Sequence, residues 1–129
     1  MQGNHQILVV DDDPDIVELT TRVLHQGGYR VHQALSGGDA IRRAHEFSPD
    51  LILLDVQMPN MNGWEVLRAL KMDSRTNRIP VAMFTVRSEL NHRVHGLQEG
   101  AFAYIVKPFS SDDLLLQLKG IFARLRPEN

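Results

Sequence analysis

The sequence predicts a doubly wound α/β fold, a five-stranded parallel sheet with helices on both faces, and three observations lead there. Continuous apolar runs recur at Ile7-Leu8-Val9-Val10, Leu51-Ile52-Leu53-Leu54 and Val81-Ala82-Met83-Phe84, each followed by a polar residue. Runs without polar alternation belong to strands buried on both faces, the condition of a parallel sheet. Segments of helical period, long enough for a crossover, separate the runs. The alternation of strand and helix is strict along the chain, which gives an open sheet with right-handed crossovers.

Each element has its own local reason. After the first run, Asp13 can cap a helix from Pro14 to His25, with Pro at the first helical position and Gly27-Gly28 as the stop. Tyr29-Arg30-Val31-His32-Gln33-Ala34 is a weaker strand, polar enough to lie at an edge. Ser36 can cap a helix with Ala40, Ile41, Ala44 and Phe47 on one face. Gly63 to Lys71 gathers Trp64, Leu67 and Leu70, with Trp64 read as core, and Ser88 to Glu99 gathers Leu90, Val94 and Leu97 before Gly100. Ala103-Tyr104-Ile105-Val106 is the fifth strand. The last helix, Ser111 to Leu125, carries Leu114, Leu115, Leu118, Ile121, Phe122 and Leu125 close to the helical period.

Length and composition bound the function. The 129 residues suit one domain, with a core reaching from about residue 7 to 125. A composition of 43% hydrophobic, 23% charged and 6% aromatic residues excludes a disordered or collagen-like chain, and a net charge of −2 argues against a nucleic-acid surface. The absence of cysteine excludes disulfides, thiolate catalysis and Cys-based zinc sites, and makes the cytoplasm the default compartment. Met1 to Gln6 has neither a basic start nor an apolar run, and no stretch approaches the roughly 18 apolar residues of a membrane span. No membrane role or export is expected. The tail from Arg124 to Asn129 reads as a fraying helix end or the start of a linker.

The chemistry gathers on three carboxylates. Asp11 and Asp12 follow the first strand and Asp55 follows the run Leu51 to Leu54. Open α/β sheets bind ligands at the carboxyl ends of strands where the strand order reverses. The flavodoxin-like order 2-1-3-4-5 makes strands 1 and 3 neighbours at that point. Three converging carboxylates repel one another unless a cation sits among them. Oxygen-only ligation without a nearby His or Cys favours Mg²⁺. Asp13 is more simply a helix cap, and His92 and His95, lacking a third ligand, are solvated side chains rather than a metal site.

Four motifs then resemble one family. Asp11-Asp12 after Ile-Leu-Val-Val, the stretch Asp55-Val56-Gln57-Met58-Pro59-Asn60-Met61-Asn62-Gly63, Thr85 after the fourth strand, and Lys107-Pro108-Phe109 after the fifth are similar to those of response-regulator receiver domains of bacterial two-component systems. The likeness covers about residues 7 to 125 in register. It implies that Asp55 is the phosphoacceptor, a carboxylate nucleophile. It implies that Asp12 ligates Mg²⁺ directly and Asp11 mainly through water, with Asp55 and the backbone carbonyl of Gln57 completing the set. By the same resemblance Lys107 supplies a cation and Thr85 a hydroxyl to the phosphoryl oxygens, Tyr104 is the switch aromatic, and the Lys107-Pro108 peptide is cis. The implied partners are a sensor histidine kinase or phosphotransfer protein and a downstream protein on the face of the fourth helix, fifth strand and last helix. A homodimer is compatible too.

Departures from the family pattern are informative. Asn62 stands where Asp is common, a change of little weight in a turn, and Phe102-Ala103 replaces a commonly acidic pair. Val86 takes the place of a small residue, so Val86 and Arg87, together with Gln57, are expected to tune the rates at which the phosphoryl group arrives and leaves. A haloacid-dehalogenase-type phosphatase would carry a second Asp two residues after the nucleophile, where Gln57 stands. A dinucleotide-binding module lacks its Gly-x-Gly-x-x-Gly after the first strand. A receiver-fold adaptor that works without phosphate remains the serious rival, opposed by the retained acids, Thr85 and Lys107. The domain is read as no enzyme beyond its own phosphorylation and dephosphorylation, and as either a stand-alone receiver or part of a longer protein.

Overall fold

Five parallel strands form one sheet in the order β2-β1-β3-β4-β5, where β1 is Gln6–Val10, β2 Arg30–Ala34, β3 Leu51–Asp55, β4 Val81–Val86 and β5 Ala103–Lys107. The computed structural model describes residues 5–56, 58, 62–86, 100–107 and 110–125, without the side chains of 85, 86, 106 and 107. Four helices are described: α1 Pro14–Gln26, α2 Gly37–Phe47, α3 Gly63–Met72 and α4 Ser111–Leu125. The helix expected over 88–99 lies outside the described residues, as does the Lys107-Pro108 peptide geometry.

The unbroken apolar runs are explained by the sheet's two covered faces. Leu8, Val10, Ile52, Leu54, Val81 and Met83 pack with Ala40 and Ala44 of α2 and Val66, Leu67 and Leu70 of α3. Their strand neighbours Ile7, Val9, Leu51, Leu53, Ala82 and Phe84 pack with Val17 and Leu24 of α1 and Leu114, Leu118, Ile121 and Phe122 of α4. Alternate side chains of a strand leave by opposite faces, so a strand clothed on both sides has no position for a polar residue. Each fully buried aliphatic of this kind contributes about 1.5–3 kcal/mol. The edge strand β2 is indeed the polar one, with Arg30 and Gln33 exposed.

Helix starts are set by side-chain caps. Asp13 accepts from the Asp15 N–H at 2.9 Å and Ser36 from the Asp39 N–H at 3.2 Å, as the sequence predicts. Asn62, read from sequence as a turn residue, is the cap of α3, accepting from the Glu65 N–H at 3.0 Å. Ser110, unassigned from sequence, accepts from the Asp113 N–H at 3.1 Å and begins α4. Asn and Asp cap about equally well, so the departure at 62 is tolerated for a better reason than its being in a turn.

Candidate functional site

The strand register assembles the site. Val10 pairs with Leu54 across β1 and β3, so the residue after each, Asp11 and Asp55, stands at adjacent strand ends. One ligand oxygen from each of Asp11, Asp12 and Asp55 lies within 4.8 Å of the others. Asp11 is 3% exposed, Asp55 half-buried and Asp12 exposed. Asp11 is fixed twice: its N–H donates to the Ala34 carbonyl at 3.2 Å, and its Oδ1 accepts from the Asp13 N–H at 3.0 Å. The predicted convergence of three carboxylates is therefore present.

Three strands run further than the apolar runs indicate. Asp55 is the last residue of β3, Thr85 and Val86 are the last two of β4, and Lys107 ends β5, so that Thr85 and Lys107 lie within strands they were expected to follow. The physical cause is the ladder, which continues through Asp55 opposite Phe84, Thr85 opposite Val106 and Val86 opposite Lys107. Pairing of backbone groups, not side-chain polarity, decides where a strand ends. Thr85, Val86 and Lys107 thus have their backbones at the carboxyl end of the sheet, the end that carries the acids. The side chains of Thr85, Val86 and Lys107, and all of Gln57 and Arg87, lie outside the described residues.

The chain leaving Asp55 is held on both sides. The Val56 N–H donates to the Phe84 carbonyl at 3.1 Å, and the Val56 carbonyl accepts from the Gly63 N–H at 2.6 Å. A Cβ on Gly63 would lie 2.3 Å from the Asp55 carbonyl oxygen and 2.8 Å from the Val56 Cα, so only glycine lets α3 begin this close to the strand.

Trp64 is only partly core. It is half-buried against the α2 and α3 side of the sheet, and its ring meets that of Tyr104 at 6.4 Å between centroids, tilted by 50°. Tyr104 also lines a groove of about 410 Å³ with Ala103, Gln117, Gly120, Ile121 and Arg124. The pairing of the two rings is visible only in three dimensions.

An oxygen-only set of three carboxylates, one of them buried, matches what a hard divalent cation of the Mg²⁺ type takes from a protein. No described helix is long and apolar enough to cross a membrane.

Comparison with known proteins gives one answer. The sequence profile of the response regulator receiver domain matches residues 7–119. The chain is 41% identical over 122 residues to the phosphate regulon transcriptional regulatory protein PhoB of Escherichia coli, covering 95% of this chain and 53% of that protein. It is 40% identical over 119 residues to the transcriptional regulatory protein PrrA of Mycobacterium leprae, covering 92% of this chain and 50% of PrrA. The chain thus spans about half the length of these relatives. Among solved structures, chemotaxis protein CheY4 of Vibrio cholerae superposes with a TM-score of 0.85 at 32% identity, over 91% of this chain and 98% of CheY4. A CheY-like receiver domain protein of Methanospirillum hungatei gives 0.83 at 32% identity, over 93% of this chain and 94% of its own.

Proposed function

The chain belongs to the response-regulator receiver family, a family of signalling domains in two-component systems, and on that footing we propose that Asp55 takes its phosphoryl group. The observation that carries the proposal is the cluster of Asp11, Asp12 and Asp55 at the carboxyl ends of β1 and β3. A carboxylate oxygen of Asp55 attacks the phosphorus of a phosphohistidine; the phosphorus–nitrogen bond breaks, its electron pair stays on the imidazole, and an acyl phosphate forms. Asp11, Asp12, Asp55 and the backbone carbonyl of Gln57 are the groups that would hold Mg²⁺. When bound, the metal lowers the repulsion between an anionic donor and an anionic site and stabilises charge on the transferring group.

Lys107 supplies a cation to the phosphoryl oxygens and Thr85 a hydroxyl, and Tyr104 turns with the Thr85 hydroxyl to alter the surface. Gln57, Val86 and Arg87 set the lifetime. Val86→Ala and Arg87→Ala are each expected to lose the phosphoryl group faster than the parent: the β-branched Val86 has little χ1 freedom to clear the path of water, and Arg87 covers the phosphoryl oxygens by charge-assisted hydrogen bonds. The domain catalyses only its own phosphorylation and dephosphorylation. Its partners are a histidine kinase or phosphotransfer protein and a downstream protein, met in the cytoplasm. An adaptor indifferent to phosphate would have no use for three mutually repelling carboxylates.

Incubation with acetyl phosphate and Mg²⁺ followed by intact-mass measurement tests the assignment. One phosphoryl group is expected on the parent and none on Asp55→Asn. A full adduct on the variant overturns the role of Asp55.

A further inference from the structure

The chain has one tryptophan, and it stands on the segment that leads directly from the candidate phosphoacceptor. Asp55 ends β3, Val56 is tied to β4 and to Gly63, and Trp64 is the next residue of α3. Gly63 has no room for a Cβ against Asp55 and Val56, so a shift of the Asp55 backbone is passed to the start of α3 rather than absorbed between them. From α3 the Trp64 ring reaches Tyr104 on β5, which pairs with Met83 of β4. The centroid separation of 6.4 Å and the 50° tilt fall within the range in which aromatic pairs attract. Tyr104 in turn walls the groove between β5 and α4 that Gln117, Gly120 and Arg124 complete.

We infer that Trp64 is a positioning residue for Tyr104. Its ring favours one placement of the tyrosine, and so links the state of Asp55 to the shape of the β5–α4 groove. The inference rests on the reading of Asp55 as phosphoacceptor and adds a second contact to the switch assigned to Tyr104. A link of this kind is real only if occupancy at one end changes the energy of the contact at the other. An aromatic pair contributes roughly 2- to 13-fold to an equilibrium, which sets the effect to look for.

The test is a double-mutant cycle on the full chain, with the affinity for beryllofluoride in saturating Mg²⁺ measured by calorimetry. Trp64→Leu is expected to change that affinity about 2- to 13-fold relative to the parent. The same substitution made in Tyr104→Leu is expected to change it by less than half as much on a logarithmic scale, and Trp64→Phe is expected to behave as the parent. Emission from the lone tryptophan is expected to move on adding beryllofluoride to the parent and to stay still in Tyr104→Leu. An unchanged affinity in Trp64→Leu, or the same change in both backgrounds, overturns the inference and leaves the Asp55 reading intact. Beryllofluoride binding that is absent from the parent, or that survives Asp55→Asn, overturns the Asp55 reading and this inference with it.

Discussion

Replacing Asp55 with Asn is expected to stabilise the metal-free protein while abolishing its phosphorylation. The ligand oxygens of Asp11, Asp12 and Asp55 lie within 4.8 Å of one another, and two unit charges at that distance repel by roughly 3.5 kcal/mol at an effective dielectric of 20 and by about 0.9 in water. Asp55 faces two such neighbours. Asp12 is exposed and Asp55 only half-buried, so solvent screening brings the sum toward the water limit, and a net gain of about 1–3 kcal/mol is expected on neutralising Asp55. For a domain of this length that is a rise of roughly 4–12 °C in Tm. Asn keeps the shape of Asp, so the change isolates charge.

Thermal unfolding in EDTA and then in Mg²⁺ is the assay. In EDTA the variant is expected to be the more stable. Mg²⁺ at a hundredfold excess over its Kd adds about 2.7 kcal/mol to a protein that binds it only when folded, so the parent is expected to regain most or all of the difference. Sodium chloride at 1 M shortens the screening length to about 3 Å and is expected to shrink the gap in EDTA. If Asp55→Asn is no more stable than the parent in EDTA, or Mg²⁺ raises both equally, the three carboxylates do not form one electrostatic unit and the reasoning fails.

Three other perturbations follow from the local geometry. Gly63→Ala is expected to cost about 1–3 kcal/mol in urea unfolding and to slow adduct formation from acetyl phosphate, because the new Cβ meets backbone that cannot give way. Asn62→Ala is expected to lose about 1 kcal/mol with the α3 cap, and Asn62→Asp almost nothing. His32 stacks on Phe47 at 3.9 Å and bonds to Gln6 at 2.8 Å; burial, helped by Arg30 and Arg43, holds its pKa below the usual imidazole value. The unfolded chain then binds the proton more readily than the folded one. The stability this provides is complete above the unfolded pKa and lost as pH falls through the folded one. A pH series of denaturant midpoints is expected to show a shallower decline below neutrality for His32→Gln than for the parent.

The fold was legible because its strands are covered on both faces, and Ile7 to Val10 and Leu51 to Leu54 are therefore apolar without interruption. Strand order is harder to read, since no feature of β2 states that it pairs with β1 rather than β4; the polar run Arg30 to Ala34 shows only that it is an edge. The acidic site was legible from Asp11, Asp12 and Asp55 once that order was assumed. The ends of β4 and β5 were not, because Thr85 and Lys107 are polar and hydrophobicity stops one or two residues before the backbone ladder does. The Asn62 cap could have been found from Glu65 three residues on, the spacing of a capping box. No such local signal exists for the meeting of Trp64 with Tyr104, which are 40 residues apart and brought together only by the packing of α3 on the sheet.

The same topology explains why a repulsive cluster is tolerated at all. Asp11 and Asp55 lie far apart in sequence, and nothing local forces them together; the crossover that places β3 beside β1 does so as a by-product of burying Val9, Val10, Leu53 and Leu54. The apolar strands supply the stability, and the charged ends are carried by it. In the unfolded chain the repulsion between Asp55 and the Asp11-Asp12 pair largely vanishes, so it weighs against the folded state alone. A cation that relieves it therefore stabilises the fold and readies Asp55 at once. That gives a direct ordering: among variants with intact folding, those that most reduce the Mg²⁺ increment in Tm are expected to be those that take a phosphoryl group most slowly. Asp12→Asn is the decisive member of the series, since it leaves the nucleophile in place. If it abolishes the Mg²⁺ increment yet accepts phosphoryl from acetyl phosphate at the parent's rate, metal binding and phosphoacceptance at this site are separate properties.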